Sequence, residues 1–215
     1  MSDALSLFTE RHASYARFIQ LVLYPQGIRA FFQHCRLLSA GQKVLDAGCG
    51  TGVVTLALRQ AMLRRGLSPG PIQAFDLTPA MIQRFRQTLA AQNIGGVEIV
   101  EANVLKLDGL PEGWTNYDLI VSASMLEYVA RDQLPDALRG LRERLAPEGR
   151  FILFITRRNW FTHLLIGRWW RSNLYTGEEL REAFKGAGFS QFQFRRFPLA
   201  ASYLTLWGHV IEAAK

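Results

Sequence analysis

Nine residues, Val44-Leu45-Asp46-Ala47-Gly48-Cys49-Gly50-Thr51-Gly52, constrain this chain more than any other stretch. Lys43 to Asp46 reads as a short strand that runs straight into a glycine loop. Residues 53–65 then read as a helix, with Val53, Ala57 and Ala61 on one row and Val54, Leu58 and Met62 on the next. Gly66 ends it. Strand, glycine turn and helix in this order make the first turn of an open α/β sheet. Ligands of such sheets bind beyond the carboxyl ends of the strands, near that turn. Glycines there let the backbone approach a ligand where a side chain would collide.

The rest of the chain repeats the alternation. Pro71–Asp76, Val97–Ala102, Tyr117–Ser122 and Phe151–Thr156 read as strands. Helices lie between them: one starts at Thr78-Pro79, with Thr78 as cap, and one carries Leu134, Leu138, Leu141 and Leu145. Thr176-Gly177-Glu178-Glu179 is a capping box that opens another helix. Two β segments, about 189–197 and 205–213, close the chain with little between them, which predicts an antiparallel edge pair. At the start, residues 4–20 and 26–38 read as two helices separated by Pro25. The expected fold is a three-layer α/β sandwich. It has a seven-stranded, mostly parallel sheet, helices on both faces and a helical N-terminal cap over 1–40. Residues 41–215 form the Rossmann-like core, with an insertion at 159–175 that covers the substrate, and 1–215 count as one domain.

Charge and composition narrow the classes less. Lys and Arg exceed Asp and Glu by seven, but the basic residues come as dispersed pairs, Arg64-Arg65, Arg157-Arg158 and Arg195-Arg196. Cys35 and Cys49 stand in unrelated contexts, so no disulfide framework is expected. The longest uncharged run, Phe197 to Ile211, has 15 residues and is interrupted by Pro198 and Gly208, too short to span a bilayer. No targeting pattern opens the chain, which predicts a cytoplasmic setting. No metal site is expected.

The loop separates two cofactor classes. Dinucleotide loops run G-x-G-x-x-G and wrap a pyrophosphate. Here the glycines fall at 48, 50 and 52, and Val53 stands where a third dinucleotide glycine would be. Asp46, two residues before the first glycine, would repel a pyrophosphate and suits a cationic group such as the ammonium of S-adenosylmethionine. Asp76, 24 residues after Gly52, ends the second strand, where a carboxylate can accept two hydrogen bonds from a ribose diol.

With these residues the chain resembles the class I S-adenosylmethionine-dependent methyltransferases. The resemblance covers about residues 41–195. It rests on the glycine loop, on Phe75-Asp76-Leu77-Thr78-Pro79-Ala80-Met81, on Glu101-Ala102-Asn103-Val104, on Tyr117-Asp118-Leu119-Ile120-Val121-Ser122 and on Leu145-Ala146-Pro147-Glu148-Gly149-Arg150-Phe151. It implies S-adenosyl-L-methionine as cofactor and S-adenosyl-L-homocysteine as product. It puts Asp46, Gly48, Cys49, Gly50 and Gly52 against the methionine part and Asp76 on the ribose. Leu77, Met81, Asn103 and Val104 fall around the adenine, and Ser122 near the methyl. The family commonly has aspartate where Asn103 stands, and an asparagine carbonyl can accept the same bond. Cys49 reads as a small loop residue, not a nucleophile.

The acceptor side is less constrained. Methyl transfer from a sulfonium needs chiefly alignment and desolvation of the acceptor. Strand four continues Ser122-Ala123-Ser124-Met125-Leu126-Glu127-Tyr128, without the Asn/Asp-Pro-Pro-aromatic tetrapeptide of the amino-methylating branches. No Pro-Cys pair supports a cysteine-adduct route. The aromatic insertion suits a small, apolar or aromatic acceptor. Tyr128, His163, Trp169 and Tyr175 are candidates to line the pocket, and His163, Tyr128, Tyr175 and Glu127 are candidate bases. Two other readings stay open: an RNA methyltransferase, for the basic charge and Arg168-Trp169-Trp170-Arg171, and a peripheral membrane enzyme acting on a lipid-like acceptor.

Overall fold

The computed structural model describes residues 23–162 and 172–215. The expected helix 4–20 lies outside them. Seven strands form one sheet in the order β3-β2-β1-β4-β5-β7-β6. They are β1 (Val44–Ala47), β2 (Ile72–Asp76), β3 (Val97–Glu101), β4 (Tyr117–Ala123), β5 (Leu145–Thr156), β6 (Gln191–Arg195) and β7 (Gly208–Ala214). β1 to β5 pair in parallel, whereas β7 runs antiparallel to both β5 and β6. β1 and β4 lie side by side at the centre, so the order reverses there and a crevice opens beyond their carboxyl ends.

The helices divide between the two faces. α1 (Tyr24–His34), α2 (Val53–Arg64) and α3 (Pro79–Ala91) lie on one. There Val44, Ile72, Leu119 and Val121 of the strands share a buried cluster with Ala57, Leu58, Ala61 and Met62 of α2, and Ala74 and Ile99 share one with Ile82 and Phe85 of α3. α4 (Leu134–Arg144) and α5 (Gly177–Gly186) lie on the other face. Leu138, Leu141, Leu180 and Phe184 pack there against Leu45, Ile120, Phe151 and Leu153. This is the expected alternation of inward-facing strand residues, read from both sides of a covered sheet.

Four local expectations differ from the structure. Pro25 does not precede the helix expected at 26–38 but sits in the first turn of α1, where its missing N–H costs nothing. α1 stops at His34, because Cys35 is extended, and it lies flat in the layer of α2: Phe31 and Phe32 pack edge-on against Phe154 of β5. Thr78 precedes α3 as expected but makes no side-chain cap. Its backbone N–H instead donates to Asp76 Oδ1 at 2.8 Å. The last strand begins at Gly208, since residues 199–206 wind into a 3₁₀ turn. The capping box forms as written, with Thr176 accepting from Glu179 N and the Glu179 carboxylate accepting from Thr176 N.

Candidate active site

The glycine loop leaves β1 at Ala47 and is held from below by two bonds, Gly48 N and Cys49 N both donating to Phe75 O at 2.9 Å. Its glycines do different work. All three have positive φ. A Cβ on Gly48 would run into the Met125 side chain, and one on Gly52 into the Phe85 ring. Those two positions are glycine because neighbouring elements press on them. Only around Gly50 is the space beyond the backbone open, so that is where a ligand can approach most closely.

Two carboxylates flank the loop. Asp46 is 1% exposed. Its Oδ2 accepts from Thr55 N at 3.1 Å and Thr55 Oγ1 at 2.6 Å, both at the start of α2. Its Oδ1 is buried without a partner. Burial is the main reason its carboxyl is pushed up to about 7, against the pull of the Thr55 bonds, and the negative Asp76 adds to the rise. Asp76 Oδ2 accepts from Gly50 N at 2.8 Å and Oδ1 from Thr78 N at 2.8 Å. Its carboxyl is also raised by burial. One side chain thus ties the open glycine to the end of β2. A carboxylate has about four lone-pair directions, so two remain for a ligand diol.

These features fit the cofactor that the sequence implies. The unpartnered Asp46 Oδ1 calls for a buried donor, ideally a cation. A pyrophosphate beside two carboxylates would be repelled. The Cys49 thiol packs among Ala74, Ile82 and Phe85. Burial, with Asp46 and Asp76 nearby, pushes it far above the usual thiol range, which leaves it inert as a nucleophile.

The remaining expected residues gather at the same end of the sheet. Leu77 and Met81 are half-buried just beyond β2. Asn103 follows β3, and its Oδ1 accepts from Leu105 N at 2.9 Å, shaping its own loop. The Val104 side chain lies in the core with Leu107. Ser122 is fully buried in β4, its Oγ without a partner. Tyr128 is half-buried in the turn Leu126–Tyr128. Tyr175 belongs to the core, under Arg131 at 4.8 Å from its ring, and its buried hydroxyl is unpartnered. Burial pushes that phenol up to about 12. Glu127 is buried, and its oxygens accept from Thr156 N at 3.0 Å and Thr156 Oγ1 at 2.8 Å. Its carboxyl rises to about 7, chiefly through burial. His163 and Trp169 lie outside the described residues.

Sequence reasoning missed four neighbours of the site. Thr55 is one, and nothing but its place nine residues after Asp46 marks it. Met125, over Gly48, is another. The other two are Ser124 and Tyr24. Ser124 follows β4 with φ +53°, a conformation rare for a residue with a Cβ, and its Oγ lies 3.2 Å from the Tyr24 hydroxyl at the head of α1.

Comparison with known proteins points to the same cofactor class. Residues 44–149 match the methyltransferase-domain family. The carboxy-S-adenosyl-L-methionine synthase of Stutzerimonas stutzeri is 32% identical over 111 residues, which is 52% of this chain and 44% of that protein. The mitochondrial ubiquinone biosynthesis O-methyltransferase of Schizosaccharomyces pombe is 30% identical over 59% of this chain and 42% of its own. The matches therefore span less than half the length of either relative. Among solved structures, magnesium protoporphyrin IX methyltransferase from Synechocystis, with S-adenosylhomocysteine bound, superposes with a TM-score of 0.73 over 100% of this chain and 99% of its own, at 17% identity. A pyocyanin biosynthetic protein gives 0.72 over 98% and 61%, at 18% identity. Both share the fold. By their match, their glycine loop and the sheet order they enter, residues 44–149 form a methyltransferase domain of the class I S-adenosylmethionine-dependent family.

Proposed function

We propose that this protein transfers a methyl group from S-adenosyl-L-methionine to a small, largely apolar or aromatic acceptor in a cytoplasmic setting. The observation that carries the reading is the pair of carboxylates about the loop's open glycine: Asp46 with a buried, unpartnered Oδ1, and Asp76 bonded to Gly50 N. Asp46 would take the ammonium, Asp76 the ribose diol, and the residues beyond β2 and β3 the adenine. When bound, the cofactor supplies an activated methyl on its sulfonium.

The protein's own part is alignment and exclusion of water. Glu127 is committed to Thr156, and the Tyr175 phenol stays protonated at neutral pH, so neither offers a free base. Tyr175 can still donate a hydrogen bond. The acceptor cover is assigned to residues 1–40 together with 159–175. In support, Tyr24 reaches Ser124 at the end of β4, and Arg157 bridges to Tyr175 across the base of the second segment. The relatives named for ubiquinone and magnesium protoporphyrin IX support an apolar, ring-bearing acceptor.

The test is a transfer assay with labelled cofactor, total RNA, and a panel of phenols, carboxylic acids and lipid quinols, at roughly 50 and 200 mM salt. Label is expected in a small molecule at both salts. Phosphate-held RNA binding would collapse over that range. Label in RNA alone, lost at the higher salt, overturns the reading.

A further inference from the structure

The carboxyl end of the sheet carries an exposed apolar surface that borders the segments assigned to the acceptor cover. Residues Leu199–Leu206 form a 3₁₀ turn without a charged side chain. Ala201 and Leu204 turn inward, Leu204 against Gly27 of α1. The opposite side is left in water, with Leu199 94% and Leu206 63% exposed and Tyr203 beside them. Two neighbours extend this surface. The Tyr203 hydroxyl reaches Leu23 O at 3.5 Å, which places the exposed Leu23 next to it. Asn159 Nδ2 donates to Leu206 O at 2.7 Å, which brings in Trp160, 79% exposed. Isolated exposed leucines are ordinary, whereas apolar side chains clustered around an uncharged turn mark an interaction surface.

Cations border the patch. Arg195 and Arg196 lead into it through Phe197-Pro198, and both are exposed. Arg157 lies beneath it, its guanidinium 3.4 Å from Thr205 O. Arg158 is exposed beside Arg157. An apolar tip with arginines behind it, on a chain of net charge +7, is complementary to a bilayer with anionic headgroups.

Position links the surface to the reaction. β7 is antiparallel, so the turn that precedes it lies at the end of β5 where Thr156 pairs with Gly208. That is the carboxyl end of the parallel strands, the side of the glycine loop. We propose that Leu23, Trp160, Leu199, Tyr203 and Leu206 dock on an anionic lipid surface, so that the acceptor is an amphiphile met at the membrane. The inference rests on the proposed methyl transfer to an apolar acceptor and makes its class narrower.

The experiment is co-sedimentation of the full chain with vesicles of phosphatidylcholine alone or with about 30% phosphatidylserine. Binding to the anionic vesicles is expected, falling at least tenfold when salt rises from about 50 to 500 mM. Leu199→Asp combined with Leu206→Asp should lower it at least tenfold while S-adenosylhomocysteine affinity stays unchanged. If that variant does not fold, Leu199→Asp alone, at a side chain 94% exposed and outside the acceptor cover, carries the test. The proposal is overturned if the native chain ignores both vesicles. It is also overturned if the folded variants bind them as well as the native chain does. Light scattering gives a third refutation, a dimer that the same substitutions split. Absence of S-adenosylhomocysteine binding in the native chain would instead sink the methyltransferase reading, whatever the vesicles show.

Discussion

Replacing Asp76 with alanine tests the site at its most informative point. In the structure this carboxylate already holds two backbone donors, Gly50 N and Thr78 N, each at 2.8 Å. A ribose diol would add two more charge-assisted bonds, each contributing roughly 1.5–3 kcal/mol net, and water entering the space left by the side chain would recover part of that. About 2–4 kcal/mol of cofactor affinity should therefore go, a loss of roughly 30- to 1,000-fold in Kd. The two backbone donors are partly reachable by water, so stability should fall by only about 1–2 kcal/mol. Asp76→Asn keeps one acceptor oxygen but points an NH₂ at a donor, so its affinity should fall in between. The assay is titration calorimetry with S-adenosylhomocysteine, with circular dichroism as the folding control. 5′-Methylthioadenosine keeps the diol without the amino-acid part and should lose a similar factor. A folded alanine variant that binds both within about threefold of the native protein would refute the ribose role and leave Asp76 as a tie for the loop.

Other outcomes follow from the same contacts. Gly48→Ala should push Met125 off the loop and distort a positive-φ position, with cofactor affinity falling at least tenfold in calorimetry; native affinity would mean that the loop yields freely. Thr55→Val removes the short hydroxyl bond to Asp46 and should lower Tm by several degrees, from about 1–2 kcal/mol in a domain of this size. Asp46 and Glu127 have carboxyls raised to about 7. Folding therefore retains protons that the unfolded chain gives up near pH 4, and stability without cofactor should be greatest in mild acid and decline as pH rises to about 7. Denaturant midpoints at pH 5 and 7.5 check this, and a midpoint that rises with pH contradicts it. Because the ligand's ammonium group favours ionised Asp46, S-adenosylhomocysteine should bind more tightly at pH 7.5 than at pH 6 and release protons on binding. Calorimetry in two buffers of different ionisation enthalpy counts them.

Legibility in the sequence followed the range of the forces involved. β1, β2, β4 and their helices were readable because apolar periodicity and glycine stops are local, and the Thr176–Glu179 box was readable because its two partners lie three residues apart. Pro25 was misplaced because a proline that breaks a helix and one that starts it look alike until the packing of Phe31 and Phe32 is known. The start of β7 was missed because Leu199–Leu206 has strand-like residues but is turned by its contact with Gly27. In the site, the carboxylates and glycines announced themselves by type and spacing. Thr55, Met125 and the Tyr24–Ser124 pair did not. The last joins hydroxyls 100 residues apart, and Met125 reaches Gly48 across the whole of the chain between β1 and the end of β4.

The contacts of Met125 with Gly48 and of Phe85 with Gly52 have a consequence for protein engineering. The loop's curvature is backed by side chains delivered from β4's end and from α3. Transplanting residues 44–52 into another parallel sheet would move the letters without the mould that shapes them. A workable graft would have to carry a methionine-sized wedge and an aromatic ring at matching positions on two further elements.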